Sequence, residues 1–289
     1  MTGPAYTLLF AFLLGVASIF SRRGLEQESF RALLIISLAV GSLLFLPMTA
    51  LTTGFAETPL RGVAYAAMGA VIGSVVGRSM YFLWINYLGP GKSLSINATA
   101  PLYAAFLAWV ILKETITPLV IAGTLGVILG IVVLSKDVRA ETEGEDYSIA
   151  VVVYPLGAAV LAAIAVTFRK LALDVGIAPI EAATVNMVVG LLVVTPLFAT
   201  RWRAEILDIE RSALRNFVTA SILMAAGFIF YFVGLRTTNA SIFLPLVQTQ
   251  PFFAVLASAA FLGRLDVITH WSVLGSSIIV GGAALVVIG

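Results

Sequence analysis

Arg78 is the only charge in the run 62–91, which is otherwise apolar or neutral. An arginine facing lipid at such depth costs about 2.5 kcal/mol or more, so it normally faces a wet cavity or a partner. If Arg78 lines a solute path, its guanidinium attracts a carboxylate or a phosphate. If the helix sits lower in the bilayer, the same side chain snorkels to an interface or meets helix carbonyls. No Asp or Glu falls in the middle of any apolar run.

Polar residues gather near it. Tyr81 follows one turn later, with Trp84, Asn86 and Tyr87 beyond. The next apolar run opens with Ser93, Ser95, Asn97 and Thr99, then Pro101 and Tyr103. A late run opens with Thr237, Thr238, Asn239 and Ser241, then Pro245, Gln248, Thr249, Gln250 and Pro251. Each proline removes a backbone donor and frees a carbonyl one turn earlier, which kinks a helix. Asn, Gln, Ser and Thr also bond between helices in membrane bundles, so each one singly has a packing role open to it. Together they suit a cavity for a small amphiphilic solute, mostly apolar with a few polar handles. The candidate substrate-contacting residues are Arg78, Tyr81, Asn97, Thr99, Tyr103, Tyr231, Gln248 and Gln250. The candidate kinks are Pro101, Pro245 and Pro251.

Other chemistries find no residues. Zero cysteines exclude disulfides, thiolate metal sites and a cysteine nucleophile. The single histidine, His270, opens the last apolar run. A serine-based hydrolase needs a base facing its nucleophile, and a metal enzyme needs clustered ligands. We therefore expect no catalytic residue, no metal, no cofactor and no enzyme activity. The first run has no acid, unlike the small proton-driven multidrug antiporters.

The elements that must position these residues are membrane helices. Hydrophobic residues make up 60% of the 289 and charged ones 11%, against about 25% charged in a soluble domain; mean hydropathy is +1.06. Apolar runs fall at 3–20, 32–56, 62–91, 93–112, 115–135, 147–168, 182–200, 216–235, 237–263 and 267–289. Each approaches the roughly 20 residues of a spanning helix. The sequence thus predicts an all-α membrane protein of ten transmembrane helices. The formal charge of +2 lacks any polybasic run, so no nucleic-acid partner is expected. Membrane lipid and a small-molecule substrate are the expected partners, and the chain is expected to be a monomer.

The chain also repeats itself. Tyr81-Phe82, Thr99, Pro101, Ala104 and Leu112 return 150 residues later as Tyr231-Phe232, Thr249, Pro251, Ala254 and Leu262. Arg22-Arg23 answers Arg169-Lys170 at a shift of 147, and Pro47 answers Pro196 at 149. We divide the chain into a first five-helix repeat, 1–137, an acidic linker, 138–148, and a second repeat, 149–289. With five spans each, the second repeat crosses the membrane in the opposite sense. Inverted repeats mark secondary transporters, with a site between the halves near the midplane.

Glycines four apart suggest close helix packing: Gly69, Gly73 and Gly77 in the third run, Gly126 and Gly130 in the fifth. The connection 201–215 has room for an interfacial helix with Trp202 at the headgroups. Arg169 and Lys170 fall just past the sixth run and count there as loop residues. With the termini outside, eleven Lys and Arg lie inside against five outside, which favours that orientation by the positive-inside rule.

Ten spans in two repeats, each closing on a Pro-containing helix, a short charged turn and a glycine-rich helix, resemble the drug/metabolite transporter superfamily. The EamA-type branch is the nearest. The resemblance is carried by Thr99-Ala100-Pro101-Leu102, Leu112-Lys113-Glu114 and Gly123 to Gly130, then by Thr249-Gln250-Pro251, Leu262-Gly263-Arg264 and Gly275 to Gly282. The family's turn is Leu-Gly-Glu-like. Lys113-Glu114 keeps its glutamate without the glycine, and Gly263-Arg264 keeps the glycine without the glutamate. The resemblance implies a bacterial inner-membrane carrier that exports small metabolites, with YddG-like amino-acid exporters as the leading subclass. It implies cytoplasmic termini, against the charge count, so orientation stays open. An exchanger of phosphorylated or nucleotide sugars is the alternative, one that usually needs several basic residues in the cavity. A non-transporting scaffold or lipid-handling protein is the alternative from another class.

Overall fold

A computed structural model describes residues 2–55, 58–80, 97–135, 149–202, 209–262 and 269–289. The linker 138–148, Tyr81, Phe82, Trp84, Asn86, Tyr87, Ser93, Ser95 and the Gly263-Arg264 turn lie outside the described residues, as do residues 203–208 of the proposed interfacial connection. Among the described residues all regular structure is helical. In order these are α1 (Gly3–Leu25), α2 (Phe30–Thr52), α3 (Leu60–Gly69), α4 (Ala100–Val110), α5 (Pro118–Leu134), α6 (Ile149–Asp174), α7 (Pro179–Leu197), α8 (Arg211–Thr237), α9 (Ala240–Val247), α10 (Gln250–Leu262) and α11 (His270–Ile288). A π-helix, Ala70–Gly77, extends α3, and another, Phe198–Trp202, extends α7.

Among the described residues, eight helical stretches are long and apolar enough to cross a membrane, with α4 and α5 as shorter apolar helices. Many large apolar side chains lie outward, such as Leu43, Leu51 and Leu192. That suits lipid as the outer solvent, where backbone groups must be satisfied within helices.

Two helix pairs record the repeat in their contacts. In the α5–α11 pair, a Cβ on Gly123 would lie 2.6 Å from the Gly282 carbonyl oxygen, and one on Gly275 would lie 2.8 Å from the Gly130 carbonyl oxygen. Shifting Gly123 and Gly130 by 152 gives Gly275 and Gly282, so the two contacts exchange. In the α2–α7 pair, Gly41 lies on Met187 and Gly190 on Leu38, which exchange under a shift of 149. In both pairs one number rises as the other falls, so the helices run antiparallel. Glycine is required at the α5–α11 crossing because backbone meets backbone there.

The main core joins both halves. It includes Phe10, Leu34, Leu38 and Phe45 from the first half with Val166, Phe228, Phe232 and Phe243 from the second. Gly3 and Gly289 lie on one face: Gly3 packs on Thr238, the turn after it meets Glu114, and the Thr117 hydroxyl donates to the Gly289 carbonyl (3.2 Å).

Candidate functional site

The two proline-bearing segments are broken helices. A two-residue turn at Ala98–Thr99 precedes α4, and one at Gln248–Thr249 separates α9 from α10. The turns are 150 residues apart and bonded alike: Leu102 N donates to the Thr99 carbonyl and Phe252 N to the Thr249 carbonyl, each at 3.0 Å. Pro101 and Pro251 follow as the second residues of α4 and α10. They start new helices instead of bending old ones, as suits a residue without an N–H at a first helical turn. Pro245 lies inside α9 and is buried.

Pro101 cannot supply the N–H that Asn97's carbonyl would accept in a continuous helix. Gln248 supplies it from the other half, its Nε2 donating to that carbonyl at 3.0 Å. The matching position in the first half is Ala98, whose side chain has no donor to return.

The most concentrated polar chemistry surrounds Arg169, five residues before the end of α6. Arg169 is 6% exposed. Nε donates to Asn186 Oδ1 (3.1 Å) and Nη1 to the Tyr231 hydroxyl (3.0 Å). Nη2 donates to the Gly69 carbonyl (3.2 Å) and to Ser74 Oγ (2.9 Å). Asn186 Nδ2 also donates to Ser74 Oγ (3.0 Å). The cation lies over the Tyr231 ring, 5.4 Å from its centroid. Asn186, Ser74 and Tyr231 are themselves buried. Gly69 and Gly73 make the room: a Cβ on either would come within 2.8 Å or 3.0 Å of Arg169 atoms. The π-helix that carries Ser74 closes with Arg78 N donating to the Gly73 carbonyl, and such turns often mark functional sites.

Arg22, the counterpart of Arg169, is exposed. Where Arg169 meets Gly69, Gly73 and Ser74, a shift of 150 gives Thr219, Leu223 and Met224, which fill the space the glycines leave and replace the Ser74 hydroxyl by a thioether. The repeat is symmetric in helices and asymmetric in charge.

On the face with the chain ends, two charges grip the turn between α8 and α9. Glu114 accepts from Ala240 N (2.8 Å), Ser241 N (3.1 Å) and the Ser241 hydroxyl (2.7 Å). A carboxylate at a helix N-terminus meets both the unpaired N–H groups and the dipole. Lys170 Nζ donates to the carbonyls of Leu235, Arg236 and Thr238 at 3.0–3.4 Å, the matching arrangement at a helix C-terminus. Lys113 holds φ of 58°, the left-handed conformation that glycine takes freely. The turn in which glycine is expected therefore carries a lysine in glycine's conformation. A surface pocket of about 580 Å³ opens beside this turn, lined by Trp109, Lys113, Glu114, Thr115 and Ile116. It touches none of the Arg169 cluster.

Of the sequence candidates, Tyr231, Gln248 and Asn97 take part in these networks, Asn97 through its backbone. Arg78 is half-buried; among the described residues it has no hydrogen-bond or carboxylate partner. Thr99 and Gln250 are half-buried at the breaks, and Tyr103 packs on the main core. Arg169 and Lys170 lie within α6, not in the loop expected from the run lengths. Leu171-Ala172-Leu173 continue the helix past both charges, and this apolar turn is the signal that finds them.

Antiparallel helices in two related halves, meeting at broken helices and a buried cation, define a membrane carrier architecture. The EamA-like transporter family matches residues 1–136 and again 149–288. The chain belongs to the EamA-like transporter family, and is an integral membrane protein that moves small solutes. No curated protein matches the sequence. A solved crystal structure is similar over 98% of this chain and 96% of its own, with a TM-score of 0.76 at 16% identity. At that identity the likeness concerns the fold alone.

Proposed function

We propose that the protein is a secondary transporter exporting small metabolites, foremost amino acids and with them related amphiphilic or xenobiotic solutes. It spans a bacterial inner membrane ten times as two inverted five-helix repeats. Solute binds near the midplane, and the halves rock so that the site faces each side in turn. The observation that carries this reading is the pair of matched breaks at Ala98–Thr99 and Gln248–Thr249. Irregular backbone at membrane depth is tolerated where it is buried in protein or lines a cavity, and broken helices at a repeat interface are where such carriers bind. Amino acids suit Arg78 because their carboxylate offsets its charge. Among subclasses, the YddG-like amino-acid exporters fit this best.

The test is uptake into liposomes holding the purified protein, with a panel of labelled amino acids and with pH and sodium gradients imposed in turn. Saturable uptake of at least one amino acid is expected. Well-folded protein that moves no member of the panel would sink the reading and favour a scaffold or lipid-handling role. In this cysteine-free chain, cysteines at Asn97 or Gln248 should react with an impermeant thiol reagent, and substrate should protect them.

One observation favours a second reading, exchange of phosphorylated or nucleotide sugars. Arg169 adds a buried cation to Arg78, and phosphate needs more than one. Exchange in phosphate-loaded liposomes separates the two.

A further inference from the structure

The Arg169 cluster holds more donors than acceptors. A guanidinium has five N–H donors, a hydroxyl one, and a carboxamide two. Four acceptors serve it: Asn186 Oδ1, Tyr231 Oη, Ser74 Oγ and the Gly69 carbonyl. Among the described residues, one Nη1–H, the Tyr231 hydroxyl proton, the Ser74 hydroxyl proton and one Asn186 N–H find no acceptor. No carboxylate of the described residues contacts Arg169. A buried cation amid surplus donors is costly in low dielectric, and the chemical group that matches it is an oxyanion.

The origin of the acceptors gives the cluster a direction. Both partners of Nη2, Gly69 and Ser74, belong to the first half. Both remaining partners, Asn186 and Tyr231, belong to the second half with Arg169 itself. Separating the halves therefore strips Nη2 while Asn186 and Tyr231 continue to aim the guanidinium. An arginine so aimed presents a planar fork that fits a carboxylate or phosphate.

We propose that Arg169 is an anion-binding residue that trades partners. With the halves together, Gly69 and Ser74 hold Nη2. With the halves apart, a carboxylate or phosphate oxygen replaces them, and the Tyr231 hydroxyl donates to the same ligand. An anion thus stabilises the open arrangement, because it interacts with Arg169 there and not in the closed one. The asymmetry with exposed Arg22 means that the second half alone carries this site. Taking the anion to be part of a transported solute rests on the carrier reading above; the binding site itself does not.

The oxyanion has two possible sources, a free solute or a lipid headgroup. Thermal unfolding of the full chain is followed with glutarate, inorganic phosphate and, as the uncharged control, glutaramide, in neutral detergent and in phosphatidylcholine vesicles with or without phosphatidylglycerol. Saturable stabilisation by glutarate or phosphate, absent with glutaramide, is expected. Arg169→Lys should weaken it by about tenfold or more, since lysine lacks the fork. Tyr231→Phe keeps the ring and removes one donor to a charged ligand, and should weaken it by about tenfold. This second variant keeps the test informative if Arg169→Lys fails to fold. Stabilisation by phosphatidylglycerol alone, weakened by the same variants, supports the anion site and assigns the ligand to lipid. No saturable stabilisation by any of the anions, or stabilisation equal in wild type and Tyr231→Phe, overturns the proposal. Transport assays on the same preparations are read separately, so a site without transport is distinguishable from no site.

Discussion

The side-chain amide of Gln248 donates to the main-chain carbonyl of Asn97 at 3.0 Å, which ties the break in one half to the break in the other. Pro101 creates that open acceptor by lacking an N–H four residues later. The donor comes from 151 residues away. A membrane interior supplies no water to serve instead.

Replacing Gln248 by Leu should cost about 1 kcal/mol through the unpaired carbonyl. Asn97→Ala should leave the bond intact, because the acceptor belongs to the backbone. Chemical unfolding of both variants in detergent checks this; equal losses would refute the assignment.

Gly282→Ala should separate α5 from α11, since its Cβ would lie 2.6 Å from Val127 N and 2.7 Å from the Gly123 carbonyl oxygen. Overpacking of this kind costs about 1–3 kcal/mol. The neighbouring Gly281 has nothing within 4 Å of a Cβ, so Gly281→Ala should be neutral. Midpoints of thermal unfolding that fall equally for both would contradict this crossing.

Lys113→Gly should stabilise the protein by about 0.5–1 kcal/mol, because φ of 58° strains a side chain but not glycine. Calorimetry on the purified protein reads it directly. A loss of stability would mean that the lysine has a favourable contact outweighing the strain.

Glu114→Gln keeps an acceptor but removes the charge from the α9 N-terminus, and should cost about 1 kcal/mol. A cysteine at Asn239, beside the capped turn, should then label faster with an impermeant thiol reagent. Unchanged labelling and stability together would show that Glu114 does not hold the turn closed.

Arg78→Gln should weaken transport of carboxylate-bearing solutes about tenfold more than of neutral or cationic ones, with normal expression. Arg78→Lys should recover only part. Equal loss for every solute alongside poor folding would assign Arg78 to packing instead.

The helical class, membrane setting and two-repeat organisation are legible in the chain itself. Hydrophobic run length is set by bilayer thickness, and the 150-residue register needs only comparison of Thr99-Pro101 with Thr249-Pro251. Both are properties of position along the chain. Even the breaks are written in Pro101 and Pro251.

The fate of the arginines is not linear in this way. Arg22 and Arg169 hold matching positions and share a residue type, yet one is exposed and the other is buried. The difference lies in the space left by Gly69 and Gly73 and in Ser74, which supplies an acceptor from 95 residues away. Whether a membrane tolerates a buried charge depends on the volume and polar groups that neighbouring helices bring to it. Sequence alone determined that this chain forms membrane helices in two related halves. Only the packing of α3 and its π-helix against α6, α7 and α8 decided that Arg169 is the cation buried between them.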